Sequence, residues 1–285
     1  MKKKYTFLLM VIPAFAIFFT FHTYPAIQGI FYSFTDYKGY GNWDLVGLKN
    51  YLNVFQDGRA LSAYGFTFKF AIVGTIIVNI VSLLIALGLN ANIKFRKTLR
   101  ATYFLPFILS VLIVGYIFKF IFTHMLPELG DSLGIEFLSS NILGSPDLAW
   151  IGVVILAVWQ SAAFNTLLYL AGLSTIDNQL YEAADIDGAG PWAKFWKITF
   201  PLVAPFLTIN MVVAMKNFLM AFDQIVALTG GGPGQSTESI SLLIYRGGFQ
   251  GGEFAYQSAN AVIYFIVIVA ISLIQLRVLE RREVK

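Results

Sequence analysis

Six stretches of this chain, about 7–34, 66–89, 102–122, 149–173, 202–228 and 259–276, are each long and apolar enough to cross a lipid bilayer. In hydrocarbon a backbone finds no water to bond, so a crossing segment is either a helix of roughly 20 residues or a strand in a closed barrel. Barrel strands alternate apolar and polar residues over about ten positions, whereas a run such as 72–85 is apolar all round. The segments are therefore read as helices. Apolar residues make up 57% of the sequence and charged residues 13%, against about a quarter charged in soluble domains. The expected fold is all-α: a polytopic membrane protein of six transmembrane helices, with 1–285 forming a single domain.

The chain contains no cysteine, which excludes disulfides and thiolate metal sites. His22 and His124 lie near membrane ends and read as interfacial polar residues, so no metal site is expected. Lys2, Lys3 and Lys4 followed by an apolar run resemble the start of a signal peptide. The run continues towards Phe34, too long for that role, and reads as a retained first helix.

Lysine and arginine in the short connections set the orientation. With the N-terminus inside, the inner side receives Lys2, Lys3, Lys4, Lys94, Arg96, Lys97, Arg100, Lys194, Lys197, Arg277, Arg281, Arg282 and Lys285. The outer side receives only Lys38, Lys49, Arg59 and Arg246. Both termini are expected in the cytoplasm of a cell-membrane protein, and the basic pI of about 9.1 reflects topology and anionic lipid rather than nucleic acid. The long outer segments 35–64, 123–148 and 229–258 are available to a partner outside.

Polar residues inside the apolar stretches should face protein or a water-filled path. Lys69 and Lys119 lie close enough to helix ends to snorkel. Lys216 and Asp223 are seven residues apart in the fifth stretch, with Asn210 and Asn217 on the same stripe. That stripe reads either as a pathway lining or as hydrogen-bonding glue between helices. A sugar offers hydroxyls to amides and an apolar ring face to aromatics. Gln160, Ser161, Phe164 and Asn165 in the fourth stretch, with Asn217 and Phe218 in the fifth, supply that chemistry.

Between those two stretches lies the most punctuated inner segment, about 177–200. Asp177 is a competent N-cap for a helix over 178–187, and Gly188 is the expected stop. Tyr181, Ala184, Asp185 and Gly188 share one helix face, and Ala183 and Ala184 are small enough for close approach. Pro191 then restarts a helix bearing Trp192, Phe195 and Trp196, whose rings suit the membrane interface. The spacing predicts a knob of two short helices beneath the bilayer.

This segment resembles the EAA loop of ABC importer permeases: Glu182, Ala183, Ala184, Gly188, Ile198 and Pro201 match in register, and Phe200 replaces the usual leucine. Pro13, the stretches 24–35 and 46–51, and the stretch 222–233 are similar to carbohydrate-importer permeases of the maltose MalF type. The resemblance implies a type I ABC importer permease fold that pairs with a second homologous permease. An ABC ATPase dimer would lie below and an extracytoplasmic sugar-binding protein outside. It also implies that Tyr181, Glu182, Ala183, Ala184, Asp185 and Gly188 belong to the helix that docks on the ATPase. Sugar contacts are implied at Gln160, Ser161, Phe164, Ala214, Asn217, Phe218 and Ala221, with Asn165 beside them. ATP and magnesium would be bound by the partner ATPases and no cofactor by this chain.

Several identities at the implied contacts depart from the maltose-type pattern, so a raffinose-type or multiple-sugar oligosaccharide is the leading expectation and glycerol phosphate esters the alternative. An ion-coupled secondary transporter would call for inverted repeats and coupling charges, and no convincing repeat is present. A membrane enzyme would need a nucleophile-base or metal constellation, which the sequence lacks. The glycines at 230–234 are not a phosphate loop, because no Lys-Ser or Lys-Thr follows. No catalytic residue is expected.

Overall fold

A computed structural model describes residues 3–91 and 93–280; Lys2, Arg281, Arg282 and Lys285, counted above for orientation, lie outside the described residues. Six helices are long and apolar enough to cross a membrane: Leu9–Tyr32, Gly58–Asn90, Val111–Leu133, Ala149–Leu173, Pro191–Leu219 and Phe254–Leu279. Below they are called the first to sixth spans. Among the described residues the β pairing is a single antiparallel bridge between Thr35 and Leu45.

Two stretches differ from their sequence expectation. The apolar run 102–122 is divided: one helix covers Arg96–Ile108, Leu109 and Ser110 are extended, and the third span begins at Val111. Pro106 removes a backbone donor in the last turn before this break. The carbonyl of Leu109 then accepts a hydrogen bond from the Gln160 Nε2 group at 3.3 Å. Further on, the short helix expected after Pro191 is continuous with the fifth span, and that span ends at Leu219 rather than 228, with a separate helix over Asp223–Leu228.

Three prolines sit inside continuous helices. Pro25, Pro127 and Pro201 each lie two residues beyond a widened turn, at Phe19–Thr23, Ile121–Met125 and Phe195–Thr199. A proline ring clashes with the carbonyl four residues earlier and offers no donor. In each case that earlier carbonyl falls within the widened turn, where i to i+5 bonding relieves the crowding.

The chain divides into two compact units. One comprises the residues up to Leu61 together with Leu243–Val267. Its outer loop is held by side chains: the Asn50 amide donates to the Ser33 carbonyl at 2.9 Å and the Thr35 carbonyl at 2.7 Å, and the Asp44 N–H donates to Asp36 Oδ1 at 2.7 Å. Ala255 N–H donates to the Tyr37 carbonyl at 2.8 Å. The Tyr256 hydroxyl donates to Asp57 Oδ2 at 2.7 Å. Burial alone would push the Asp57 carboxyl up, but this hydroxyl, the N–H groups of Arg59 and Ala60 and the Arg59 charge bring it below its usual value.

The second unit is Ser62–Leu242 with the helix from Ile268 onward. Its fourth span is the most enclosed, with 61% of its apolar window buried. At the inner ends of three spans, Ala86, Leu89, Tyr169, Leu170, Leu173 and Val203 form one packed cluster. Two glycines let aromatic rings reach the backbone there and higher up. A Cβ at Gly172 would come within 2.5 Å of Phe206, and one at Gly74 within 2.8 Å of Phe218. The glycines at 230–234 belong to a folded loop in which the Thr229 and Thr237 hydroxyls lie 2.8 Å apart and Thr237 donates to the Gly232 carbonyl at 2.7 Å.

Candidate functional site

The knob between the fourth and fifth spans is built as its residue types dictate. Asp177 caps the helix Asn178–Ile186 by accepting from the Gln179 N–H at 2.9 Å. Gly188 ends it with φ +74°, a left-handed conformation that costs glycine little. The Gly188 N–H bonds the Asp185 carbonyl at 3.1 Å and the Ala189 N–H bonds the Ala184 carbonyl at 2.8 Å, the paired pattern of a Schellman cap.

The two faces of this helix do different things. Tyr181 lies 2.8 Å, hydroxyl to hydroxyl, from buried Thr199, and Asp185 accepts from Lys194 Nζ at 2.6 Å. Tyr181 and Asp185 therefore fasten the knob to the foot of the fifth span. Glu182, Ala183 and Ile186 point away, with Ile186 88% exposed. The free surface thus centres on these three residues, and Ile186 is a member that sequence reasoning missed. Its signal was present as an apolar residue on an otherwise polar inner helix.

Within the second unit lies a cavity of about 400 Å³. The fourth span contributes Gln160, Ser161, Phe164 and Asn165; the fifth and the turn after it contribute Lys216, Asn217, Met220, Ala221, Phe222, Asp223 and Gln224. Phe107, Leu109 and Val111, at the break before the third span, complete it. Phe107 stacks on Phe164 with ring centroids 5.3 Å apart and planes at 25°. Helical spacing puts Gln160, Ser161, Phe164 and Asn165 on one face, and the chain break at Leu109 opens room in front of them.

Six of the sugar-contact residues suggested by sequence come together here: Gln160, Ser161, Phe164, Asn165, Asn217 and Ala221. Ala214 and Phe218 are not in the wall. Ala214 is 1% exposed, and Phe218, 3% exposed, packs edge-on against Phe70 at 5.3 Å and over Gly74. An aromatic on the far side of a helix from the polar stripe satisfies itself by burial. Of that stripe, Lys216, Asn217 and Asp223 line the cavity, while fully buried Asn210 donates to the Asn165 carbonyl at 3.3 Å and acts as interhelical glue.

Two cavity amides are only half satisfied. Gln160 donates to the Leu109 carbonyl and Asn165 to the Ser161 carbonyl at 2.8 Å, yet Gln160 Oε1 and Asn165 Oδ1 are buried with no donor. An unsatisfied buried acceptor costs about 1–3 kcal/mol. Among the described residues no group of three His, Asp or Glu side chains could hold a metal ion.

A multi-pass helical protein with a polar intramembrane cavity and a free inner knob is a permease in architecture. The family described as binding-protein-dependent transport system inner membrane component matches residues 78–285, and the chain belongs to it. The chain is 40% identical to the multiple sugar-binding transport system permease protein MsmF of Streptococcus mutans, over 98% of this chain and 96% of that one. It is 36% identical to the probable starch degradation products transport system permease protein AmyD of Thermoanaerobacterium thermosulfurigenes, over 92% and 89%. The fold matches a bacterial ABC transporter involved in the import of the acidic polysaccharide alginate with TM-score 0.85 and 22% identity, covering 98% of this chain and 96% of that chain.

Proposed function

We propose that this chain is one of two transmembrane subunits of an ATP-driven sugar importer, with 1–285 as one permease domain and both termini in the cytoplasm. In this reading a second homologous permease completes the pathway, an ABC ATPase dimer binds ATP and magnesium, and an extracytoplasmic binding protein delivers the solute. The chain itself is non-catalytic. The observation that carries the proposal is the capped helix Asn178–Ile186, which is fastened to the foot of the fifth span and joins the two spans that supply most of the cavity wall.

Closure of the ATPase dimer would push on Glu182, Ala183 and Ile186, and the Tyr181 and Asp185 anchors would pass the displacement to the fifth span. The packed cluster above the knob contains residues of the second, fourth and fifth spans, so it supports movement as a block. Lys216, Asn217, Met220 and Asp223 are exposed on this chain alone, which supports a pathway completed by the second permease.

The relatives' names point to oligosaccharides, and a raffinose-type or multiple-sugar substrate fits an amide- and aromatic-lined cavity. Lys216 on its own would favour a phosphate ester such as glycerol phosphate. Asp223 in the same wall offsets that charge, which favours a neutral solute. The test is uptake of labelled raffinose and maltotriose into vesicles containing the assembled complex. Uptake should require ATP on the cytoplasmic side and survive collapse of proton and sodium gradients. Uptake by this chain alone, driven by an ion gradient, would refute the proposal.

A further inference from the structure

A second concavity, of about 580 Å³, lies within the first unit and shares no residue with the intramembrane cavity. One wall runs from Tyr32, at the outer end of the first span, through Tyr37, Lys38, Gly39 and Tyr40; the other is 248–252 with Phe254, at the outer start of the sixth span. Its floor is rigid. Tyr32 and Tyr37 stack at 4.5 Å and 20°, Phe254 meets both edge-on at 5.9 and 5.7 Å, and the Ala255 N–H to Tyr37 carbonyl bond ties the walls together.

Two further rings stand at its rim, Tyr40 and Phe249, each 73% exposed, with Phe249 held edge-on to Phe254 at 6.1 Å. Exposed aromatics at the rim of a preformed concavity present flat apolar faces that water covers poorly. Glycines at 39, 248, 251 and 252 keep that part of the wall free of side chains, and Lys38 and Gln250 add polar groups. Flat ring faces next to hydrogen-bonding groups suit a pyranose, which is apolar on its C–H face and polar round its edge. The volume also suits a small ligand. It falls in the range of about 300–1,000 Å³ typical of small-ligand sites, whereas protein docking takes a broad surface of about 800 Å² per partner.

We propose that this outer pocket is a carbohydrate subsite, in which Tyr40 and Phe249 grip one end of an oligosaccharide before it enters the membrane. This rests on the sugar-importer reading above. Its role would be to bind sugar in a step separate from binding in the intramembrane cavity.

The test is saturation-transfer NMR with raffinose and maltotriose on the permease–ATPase complex in nanodiscs, without the binding protein. Wild type should transfer saturation to sugar C–H protons. The double variant Tyr40→Ala/Phe249→Ala should weaken the Kd about tenfold, equivalent to about 1.4 kcal/mol, and Tyr40→Phe, which keeps the ring, should retain it. Equal Kd values for wild type and the double variant would overturn the proposal. So would a double variant that keeps sugar binding but loses stimulation by the binding protein, which would make the pocket a protein-docking face. If wild type imports neither sugar, the sugar-importer reading fails and the subsite with it; import with a silent outer pocket refutes the subsite alone.

Discussion

Replacing Gly188 separates what the knob does within its own chain from what it does against another. A Cβ added at Gly188 meets no heavy atom within 4 Å, so an alanine methyl there has room. The intrachain penalty is therefore one of backbone conformation: φ is +74°, and an L-residue in that region costs roughly 1–2 kcal/mol. Gly188→Ala pays this cost and should fray the last turn of Asn178–Ile186, since the two capping bonds to Asp185 and Ala184 depend on it. Gly188→Asn should pay less, because asparagine tolerates the left-handed region.

Gly188→Trp pays about the same backbone cost as alanine and adds bulk beyond a Cβ that meets no neighbour. The difference between the tryptophan and alanine variants thus isolates a clash with a second protein. Membrane yield should be equal for all three. ATP-driven uptake in vesicles should fall by up to about tenfold for alanine, the equivalent of 1.4 kcal/mol, and be abolished for tryptophan, with loss of the ATPase on copurification. A tryptophan variant that transports as well as the alanine variant would refute docking at this end of the helix.

In the cavity, Asn217→Leu should raise the half-saturating sugar concentration about fivefold, from a lost hydrogen bond of about 1 kcal/mol, and Phe164→Ala should do likewise through its lost stack on Phe107; unchanged uptake by both variants places the pocket elsewhere. Gly172→Val should cost about 1–3 kcal/mol by overpacking against Phe206, read as a lower melting temperature of the solubilised chain, and an unchanged midpoint counts against the close packing. Asp57 has a lowered pKa in the folded state, so its stabilisation is present above its unfolded value of about 3.9 and is lost as pH falls through the lower folded value. Tyr256→Phe should move acid unfolding to higher pH, and superimposable acid titrations by near-UV circular dichroism would rule out this contribution.

The spans and the knob were legible because each depends on local rules: apolar length for the spans, and an N-cap followed by glycine for Asn178–Ile186. The polar stripe was legible in part. Lys216, Asn217 and Asp223 share a face and do line one cavity, even though the helix breaks at Met220 between them. Periodicity could not separate Asn217, which faces the cavity, from Asn210, which faces Asn165, because both are amides on the same stripe. Phe218 was read as a ring for a sugar to stack on, but its neighbours are Phe70 and Gly74, more than 140 residues earlier in the chain. The same limit applies to the knob: spacing grouped Tyr181 with Asp185, but only Thr199 and Lys194 reveal that this face looks inward. The widened turns before Pro25, Pro127 and Pro201 were hidden for a different reason. A proline reads as a breaker unless the backbone has already shifted to receive it, and that shift has no residue signature of its own.

The arrangement at the inner ends of the fourth and fifth spans explains how one short helix can act on a cavity higher in the membrane. Tyr169, Leu170 and Leu173 end the fourth span, Val203 begins the enclosed part of the fifth, and Ala86 and Leu89 close the cluster from the second. Phe206 lies against the backbone at Gly172, so these two spans have almost no slack where they meet. Packed interiors resist compression and repack between discrete arrangements rather than deforming smoothly. A push on the knob would therefore move the feet of both spans together, and the accommodating change would fall where the backbone is interrupted. At the cavity Leu109 and Ser110 are extended, the fifth span ends at Leu219, and the Gln160 and Asn165 oxygens have no donor. The residues that would grip the solute are thus the ones free to change partners when the feet move.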